Sequence, residues 1–471
     1  MTAQKQQTGD HVIALLVIAT AQLMLVLDDS IVNIALPDIQ DELGITPVHL
    51  PWVVNAYILA FGALLLLGGR IGDLWGRKRT LQVGLVLFVA ASLAGGFAQD
   101  TMMLIVARAV QGVGAALTAP NALARIATTF DTRKMRDTAL SLYGAMSGLG
   151  IVIGLLLGGV LTELLDWRWV FFINVPIGLL VVAGTRTLIA GERHTGRLGG
   201  FGAALGTGGM VALVYAVTRF GEEGLSDPLA HGLLAAGALL MVIFVFTQRG
   251  SSQPLLPLSL FADRNRWGAY LAMLGLAIGP MGTFYIITLY MQHVLGQGPL
   301  LTGLSWLPFA LGIVVGAGLG PKLLTRIAPR QVAALGALLS AAGVFWLSRI
   351  TLETQYWTAI APGMLIVAIG FGTGVMTLTH AAVYGVDADK AGIASALLNS
   401  SQQIGVALGL AILASIAARV GTGVEAGGAS TDEVLIAGYQ NALMAGSGVL
   451  VAAAVLALLT LSRRSPTGQN S

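Results

Sequence analysis

The segment Gly68-Gly-Arg-Ile-Gly-Asp-Leu-Trp-Gly-Arg-Lys-Arg79 separates two long apolar runs, one starting at Leu50 and the other at Thr80. Each run has the roughly 20 mostly apolar residues that a helix needs to cross hydrocarbon. A short basic connection between two such runs reads as a cytoplasmic turn between membrane helices. The pattern returns in the second half as Gly320-Pro-Lys-Leu-Leu-Thr-Arg-Ile-Ala-Pro-Arg330. If two spans starting near Gly199 and Pro228 are set aside as an insertion, both segments fall between the second and third helices of a six-helix half, the trace an internal repeat leaves. The expected architecture is an all-α polytopic membrane protein. Two six-helix bundles, 1–190 and 267–471, flank two inserted helices and their linkers at 191–266.

Composition supports this class. The 471 residues are 55% hydrophobic and only 10% charged, and the mean hydropathy of +0.80 exceeds what a water-soluble domain tolerates. Counting apolar runs gives fourteen spans, so both termini lie on one side. Most of the 26 lysines and arginines fall in connections on that side, which makes it cytoplasmic. The expected location is the cell membrane, with many passes. Sixty-two glycines suit helices that pack closely in lipid. The polar start, Met1 to Asp10, runs into an apolar helix without a small-residue cleavage site and reads as a retained signal anchor.

Other functions find no residues to carry them. With no cysteine, disulfides and thiolate metal sites are excluded. The six histidines make no cluster of metal-ligand spacing, and no phosphate-binding loop, H-E-x-x-H motif or nucleophile arrangement is present. No cofactor or metal is expected. Basic charge follows the topology, so no nucleic-acid site is read from it.

Within Leu25-Val-Leu-Asp-Asp-Ser-Ile-Val-Asn-Ile-Ala-Leu-Pro37, Asp28 and Asp29 are the only acids placed inside a span. An ionisable group at that depth marks an ion or substrate pathway. Arg108, in Leu104-Ile-Val-Ala-Arg-Ala-Val-Gln-Gly-Val-Gly114, is the one base so placed. If span 1 exits near Pro37 and span 4 enters near Thr101, a rise of about 1.5 Å per residue puts Asp28 roughly 14 Å deep and Arg108 roughly 10 Å deep. An acid of span 1 and Arg108 are therefore expected to be partners. Gln22, Asp29 and Asn33 share a polar helical stripe, whereas Asp28 shares its stripe with Ala21 and Val32.

The basic turn resembles the loop signature G-x-L-a-D-r-x-G-r-k-x of the major facilitator superfamily, with Gly69, Gly72, Asp73, Gly76, Arg77 and Lys78 matching. Fourteen spans, the Leu27-to-Pro37 motif and Asp166-Trp-Arg-Trp-Val-Phe-Phe-Ile-Asn-Val-Pro-Ile-Gly178 are similar to the fourteen-helix drug:proton antiporter group of that superfamily. So are Leu289-Tyr-Met-Gln-His-Val-Leu-Gly296, Leu301-Thr-Gly-Leu-Ser-Trp-Leu-Pro308 and Asn399-Ser-Ser-Gln-Gln-Ile-Gly-Val-Ala-Leu-Gly409. The resemblance implies alternating access between two bundles, driven by proton influx, with export of amphipathic and often cationic drugs or antibiotics. Small molecules, protons and the bilayer are then the partners. An uptake symporter is the nearer alternative and an intramembrane enzyme the more distant one.

The resemblance also distributes roles. Asp28, Asp29 and Arg108 are candidates for proton coupling; the family's aspartate aligns with Asp28, while the polar stripe sets Asp29 on the cavity wall. Asp28, an acid facing packed helices where burial favours the protonated form, is therefore assigned to coupling and Asp29 to the cavity and a cationic substrate. Arg108 and Gln111 match the family's fourth-helix motif. Cavity walls for an amphipathic molecule need aromatic and a few polar groups. Asn33, Trp52, Asn55, Tyr57, Gln111 and Tyr143 are nominated from the first bundle, and Phe284, Tyr285, Tyr290 and Trp306 from the second. Asn399, Gln402 and Gln403 join them as amides sharing one helical face. Trp167 and Trp169 read as interfacial belt residues without a substrate role. Gating is assigned to Gly69, Gly72, Asp73, Gly76 and Arg77, and to Gly150, Gly154, Gly158 and Gly159 in span 5. These last glycines resemble the antiporter motif G-x-x-x-G-P-x-x-G-G, except that Leu155 stands where the motif has proline.

Overall fold

The computed structural model describes residues 2–129, 133–187, 199–224, 226–251, 254–386, 391–425 and 430–461. The described chain is helical and contains no strand. Its first helices are α1 (Thr2–Leu43), α2 (Pro51–Trp75), α3 (Arg77–Gly96), α4 (Thr101–Thr129), α5 (Arg133–Leu164) and α6 (Trp169–Gly184). Then come α7 (Gly200–Glu222) and α8 (Pro228–Arg249). The remainder are α9 (Arg264–Val294), α10 (Pro299–Leu324), α11 (Pro329–Leu347), α12 (Tyr356–Val383), α13 (Ala391–Glu425) and α14 (Thr431–Thr460). Among the described residues, twelve helices are long and apolar enough to cross a membrane, and α5 and α6 carry shorter apolar stretches, Leu149–Leu164 and Trp169–Gly184. The fourteen helices agree with the fourteen apolar runs counted in the sequence.

Two compact units emerge. The first holds α1–α6 and the second holds α8–α14, with α7 passing from one to the other after Thr207. In the first unit α1 packs against α4, α5 and α6, and α3 packs against α4 and α6. In the second, α9 packs against α12, α13 and α14, while α11 packs against α12 and α14. The inserted helices α7 and α8 meet at Gly209 and Gly237, where the missing side chain of each leaves room for the other's carbonyl.

Helix α1 runs through Pro37 to Leu43. The stop is Gly44, whose φ of +62° is the left-handed conformation that ends helices and favours glycine. Its flank toward α5 is set by glycine. A Cβ on Gly150 would come within 2.9 Å of Val26 Cβ, one on Gly154 within 2.9 Å of the Leu27 carbonyl, and one on Gly158 within 2.9 Å of the Ile31 carbonyl. Gly159 and Leu155 are buried on the same helix. This contact fixes one side of α1 and leaves Asp28 to face α4 and α6.

Candidate functional site

Asp28 and Arg108 are both completely buried, 0% exposed, and form an ion pair at 2.6 Å between Arg108 Nη1 and Asp28 Oδ2. The pair joins α1 to α4. Arg108 Nη1 also donates to Gln111 Oε1 at 3.1 Å, and Nε donates to the Val53 carbonyl of α2 at 2.9 Å. The Tyr57 ring lies 4.4 Å from the guanidinium carbon, a cation–π distance. Gln111, one helical turn after Arg108, donates from Nε2 to Asp28 Oδ1 at 3.0 Å and to Ser92 Oγ of α3 at 2.7 Å. Asn174 of α6 adds a third donor, Nδ2 to Asp28 Oδ1 at 2.7 Å. Asp28 thus takes hydrogen bonds from three side chains on two helices, the set suited to an ionised carboxylate. Two buried atoms at the edge of this network, Arg108 Nη2 and Asn174 Oδ1, have no hydrogen-bond partner among the described residues.

The structure brings together Asp28, Arg108, Gln111 and Tyr57 from the sequence-nominated residues. It sets Tyr57 against Arg108 inside the first unit. Ser92 and Asn174 join them without having been nominated, because neither carries the charge that makes a residue conspicuous at membrane depth. Two signals are available for Asn174: it is a lone amide inside the apolar run 169–184, and it lies within the motif Asp166 to Gly178. The approach of α6 depends on Gly95, Gly96 and Gly178, where side chains would collide with Phe171, Phe172 and Val89 respectively.

Asp29 lies on the neighbouring face of α1 and is half-buried. Its carboxylate makes no hydrogen bond among the described residues, while its carbonyl accepts from Asn33 Nδ2 at 2.8 Å. Ala21 and Val32, which share the Asp28 stripe, are buried. Asn55 is buried with neither amide atom partnered, and Trp52 and Tyr143 are half-buried.

Aromatic candidates of the second unit divide in the same way. Trp306 is buried, 4.2 Å from Phe284 between ring centres, and its Nε1 donates to Thr288 Oγ1 at 3.1 Å. Tyr290 is buried and its hydroxyl donates to the Thr351 carbonyl at 2.6 Å. Tyr285 is buried, whereas Asn399 is exposed and Gln402 and Gln403 are half-buried.

At the basic turn, Asp73 Oδ1 accepts from Arg77 Nη2 at 3.0 Å and from Nε at 3.2 Å. The pair spans the break between α2 and α3 at Gly76, whose φ of +97° places it where L-residues are strained. Gly72 faces the Asn121 side chain of α4 with no room for a Cβ, and Gly69 faces Pro120. Asn121 Nδ2 donates to the Gly68 carbonyl at 2.9 Å. Arg125 is buried further along α4, which continues to Thr129.

Trp167 departs from its expected place in an exposed aromatic belt. It is 2% exposed, and its Nε1 donates to Glu42 Oε2 at 2.6 Å. Arg168 donates to Glu42 Oε1 at 2.6 Å and lies 4.4 Å over the Trp167 ring. The extension of α1 beyond Pro37 carries Glu42 to this cluster. Trp169 is exposed.

Comparisons with known proteins follow the same lines. Residues 18–410 match the family described as Major Facilitator Superfamily. A puromycin resistance protein of Streptomyces alboniger is 43% identical, over 96% of this chain and 91% of its own length. A cephamycin export protein of Amycolatopsis lactamdurans is 36% identical, over 99% and 96% respectively. A lincomycin resistance protein of Streptomyces lincolnensis is 35% identical, over 96% and 91%. Among solved structures, a bacterial homologue of the human lysosomal transporter Spinster shares the fold with a TM-score of 0.68 at 15% identity, covering 96% of this chain and 97% of that one.

Proposed function

We propose that this chain, which belongs to the Major Facilitator Superfamily, exports amphipathic, antibiotic-like molecules by proton-coupled antiport across the cytoplasmic membrane, with both termini cytoplasmic. The relatives named for antibiotic resistance or export support the substrate class. The observation that carries coupling is the sealed Asp28–Arg108 pair, tied to α6 through Asn174.

The chemistry follows from that geometry. As a carboxylate, Asp28 satisfies donors from α4 and α6 and neutralises Arg108. A proton on Asp28 removes its charge and uses one of its lone pairs, leaving Arg108 without a counter-ion where an unpaired charge is costly. Protonation therefore weakens the α1–α4 tie and biases any equilibrium between states that differ in that contact. Asp29, half-buried and with no hydrogen bond to its carboxylate among the described residues, offers a negative charge to a cationic substrate. A cation held there also disfavours protonation of the adjacent Asp28. By reciprocity, the proton weakens the cation's binding. Mutual exclusion of proton and substrate is what antiport requires.

Everted vesicles holding an imposed proton gradient test this reading. Compounds that are substrates are expected to dissipate the gradient in a protein-dependent way. Asp28→Asn is expected to abolish uphill transport while inserting normally, since a neutral amide cannot cycle a proton. Uphill transport by the purified variant would overturn the assignment of Asp28.

A further inference from the structure

We propose that Asn174 is a reversible hydrogen-bond partner of Asp28, donating to it when it is charged and, after its amide turns over, accepting from it when it is protonated. The inference rests on the reading of Asp28 as the proton carrier and names the residue that keeps α6 attached throughout the cycle.

The argument starts from two amides on one carboxylate oxygen. Gln111 has no spare capacity in this arrangement: Oε1 accepts from Arg108, and Nε2 donates to both Asp28 and Ser92. Turning that amide over would set its Nε2 against the Arg108 guanidinium, donor against donor. Asn174 differs. Its Nδ2 donates to Asp28 at 2.7 Å, while its Oδ1 is buried and has no partner. A buried acceptor left unsatisfied costs free energy, and here it belongs to a side chain whose other end serves the charged acid. When Asp28 gains a proton, its carboxyl group becomes a donor. Half a turn of the Asn174 amide about its last bond then presents Oδ1 to that O–H. The proton's destination is the Asp28 carboxylate, and no other covalent bond changes.

The charged and titratable groups around this contact are few. Helix α1 contributes Asp28 and Asp29, α4 contributes Arg108 and α2 contributes the Tyr57 phenol. Helix α3 has no ionisable residue between Thr80 and Gly96, α6 has none between Trp169 and Gly184, and Tyr143 is the only one in α5 between Ala139 and Thr162. Among these groups Arg108 is the one that loses its counter-ion when Asp28 is neutralised. Asn174 can hold either form. On protonation α1 thus loosens from α4 and stays joined to α6.

Full-length protein in lipid vesicles tests the proposal by infrared difference spectroscopy between high and low pH. Wild type is expected to show a protonated-carboxyl band together with a displaced side-chain amide band. Asp28→Asn is expected to lose the Asp28 component of the carboxyl band together with the amide band, and Asn174→Val only the amide band. Asn174→Thr, nearly the shape of valine but with a hydroxyl that donates and accepts, is expected to retain most of the transport that Asn174→Val loses. The valine variant is also expected to shift the pH midpoint of substrate binding upward by about one unit, because a bond to a charged group outweighs one to a neutral group. No pH-dependent amide band in wild type overturns the proposal whatever the variants do. An amide band that persists in Asn174→Val also overturns it and leaves Asp28 intact as the proton carrier. A carboxyl band of the same intensity in Asp28→Asn and wild type instead removes the reading on which the proposal stands.

Discussion

Arg108 is held by a carboxylate, an amide oxygen, a backbone carbonyl and an aromatic face, so its charge and its planar shape are separable requirements. Lysine retains the charge but cannot reach Asp28 and the Val53 carbonyl together through a rigid fork. Arg108→Lys is expected to keep partial proton-coupled transport, and Arg108→Ala to lose it. Removing one partner of a buried pair also costs about 3–5 kcal/mol of stability, so the alanine variant is first checked by its melting temperature. In folded Arg108→Ala, the pH profile of substrate binding is expected to move upward, since the cation that favoured the charged acid is gone. Identical profiles and transport in alanine variant and wild type would refute the partnership. Helical rise alone places both acids of α1 and Arg108 at similar depth, so a pairing of Arg108 with one of them is legible in the sequence, but the choice of Asp28 over Asp29 is not. Asn174 lies within the motif Asp166 to Gly178, but its contact with Asp28 is not legible there, because a neutral amide leaves no trace in charge counting and its value depends on an orphaned oxygen that only three-dimensional packing reveals.

At the scale of elements, close packing places the site. Gly150, Gly154 and Gly158 let α5 lie against α1, while Ser30 Oγ adds a hydrogen bond to the Gly150 carbonyl at 3.3 Å. The glycine pattern is readable in sequence, but the helix it packs against is not. A Cβ at position 154 would strike Ser30 Oγ and press on the Leu27 carbonyl. Gly154→Ala is expected to lower stability by about 1–3 kcal/mol through overpacking. Adding Ser30→Ala removes the side-chain clash and not the backbone one, so the double variant is expected to recover part of the loss. Full recovery would mean that the α1 backbone yields freely and that Gly154 is not a packing constraint. Trp167 shows the opposite limit of sequence reading. A tryptophan beside an external turn suits an interfacial belt by composition, yet the continuation of α1 past Pro37 supplies Glu42 as a partner for its indole N–H. The left-handed Gly44 terminates α1, and Pro37 lies within the helix.

Across the whole molecule, ionisable chemistry is unevenly distributed. The first unit buries the Asp28–Arg108 pair and exposes part of Asp29, while the candidates of the second unit are aromatic rings and amides. If Asp28 is the one proton carrier, each cycle exchanges one proton for one substrate molecule. Exchange of a monovalent cation is then electroneutral and driven by the pH gradient, at about 1.4 kcal/mol per unit. Exchange of a neutral compound moves one net charge and also gains about 2.3 kcal/mol per 100 mV of membrane potential. Vesicles clamped with a potassium ionophore separate the two. Cation efflux is expected to be insensitive to the potential, and neutral efflux to rise with it. Asp29→Asn is expected to weaken cation transport selectively, because the lost charge is a Coulomb partner in a poorly screened site, and to leave the potential dependence of neutral efflux unchanged. A cation flux as steep in potential as the neutral flux would require more than one proton per cycle. Asp29 would then have to be a second proton carrier rather than the substrate's counter-charge.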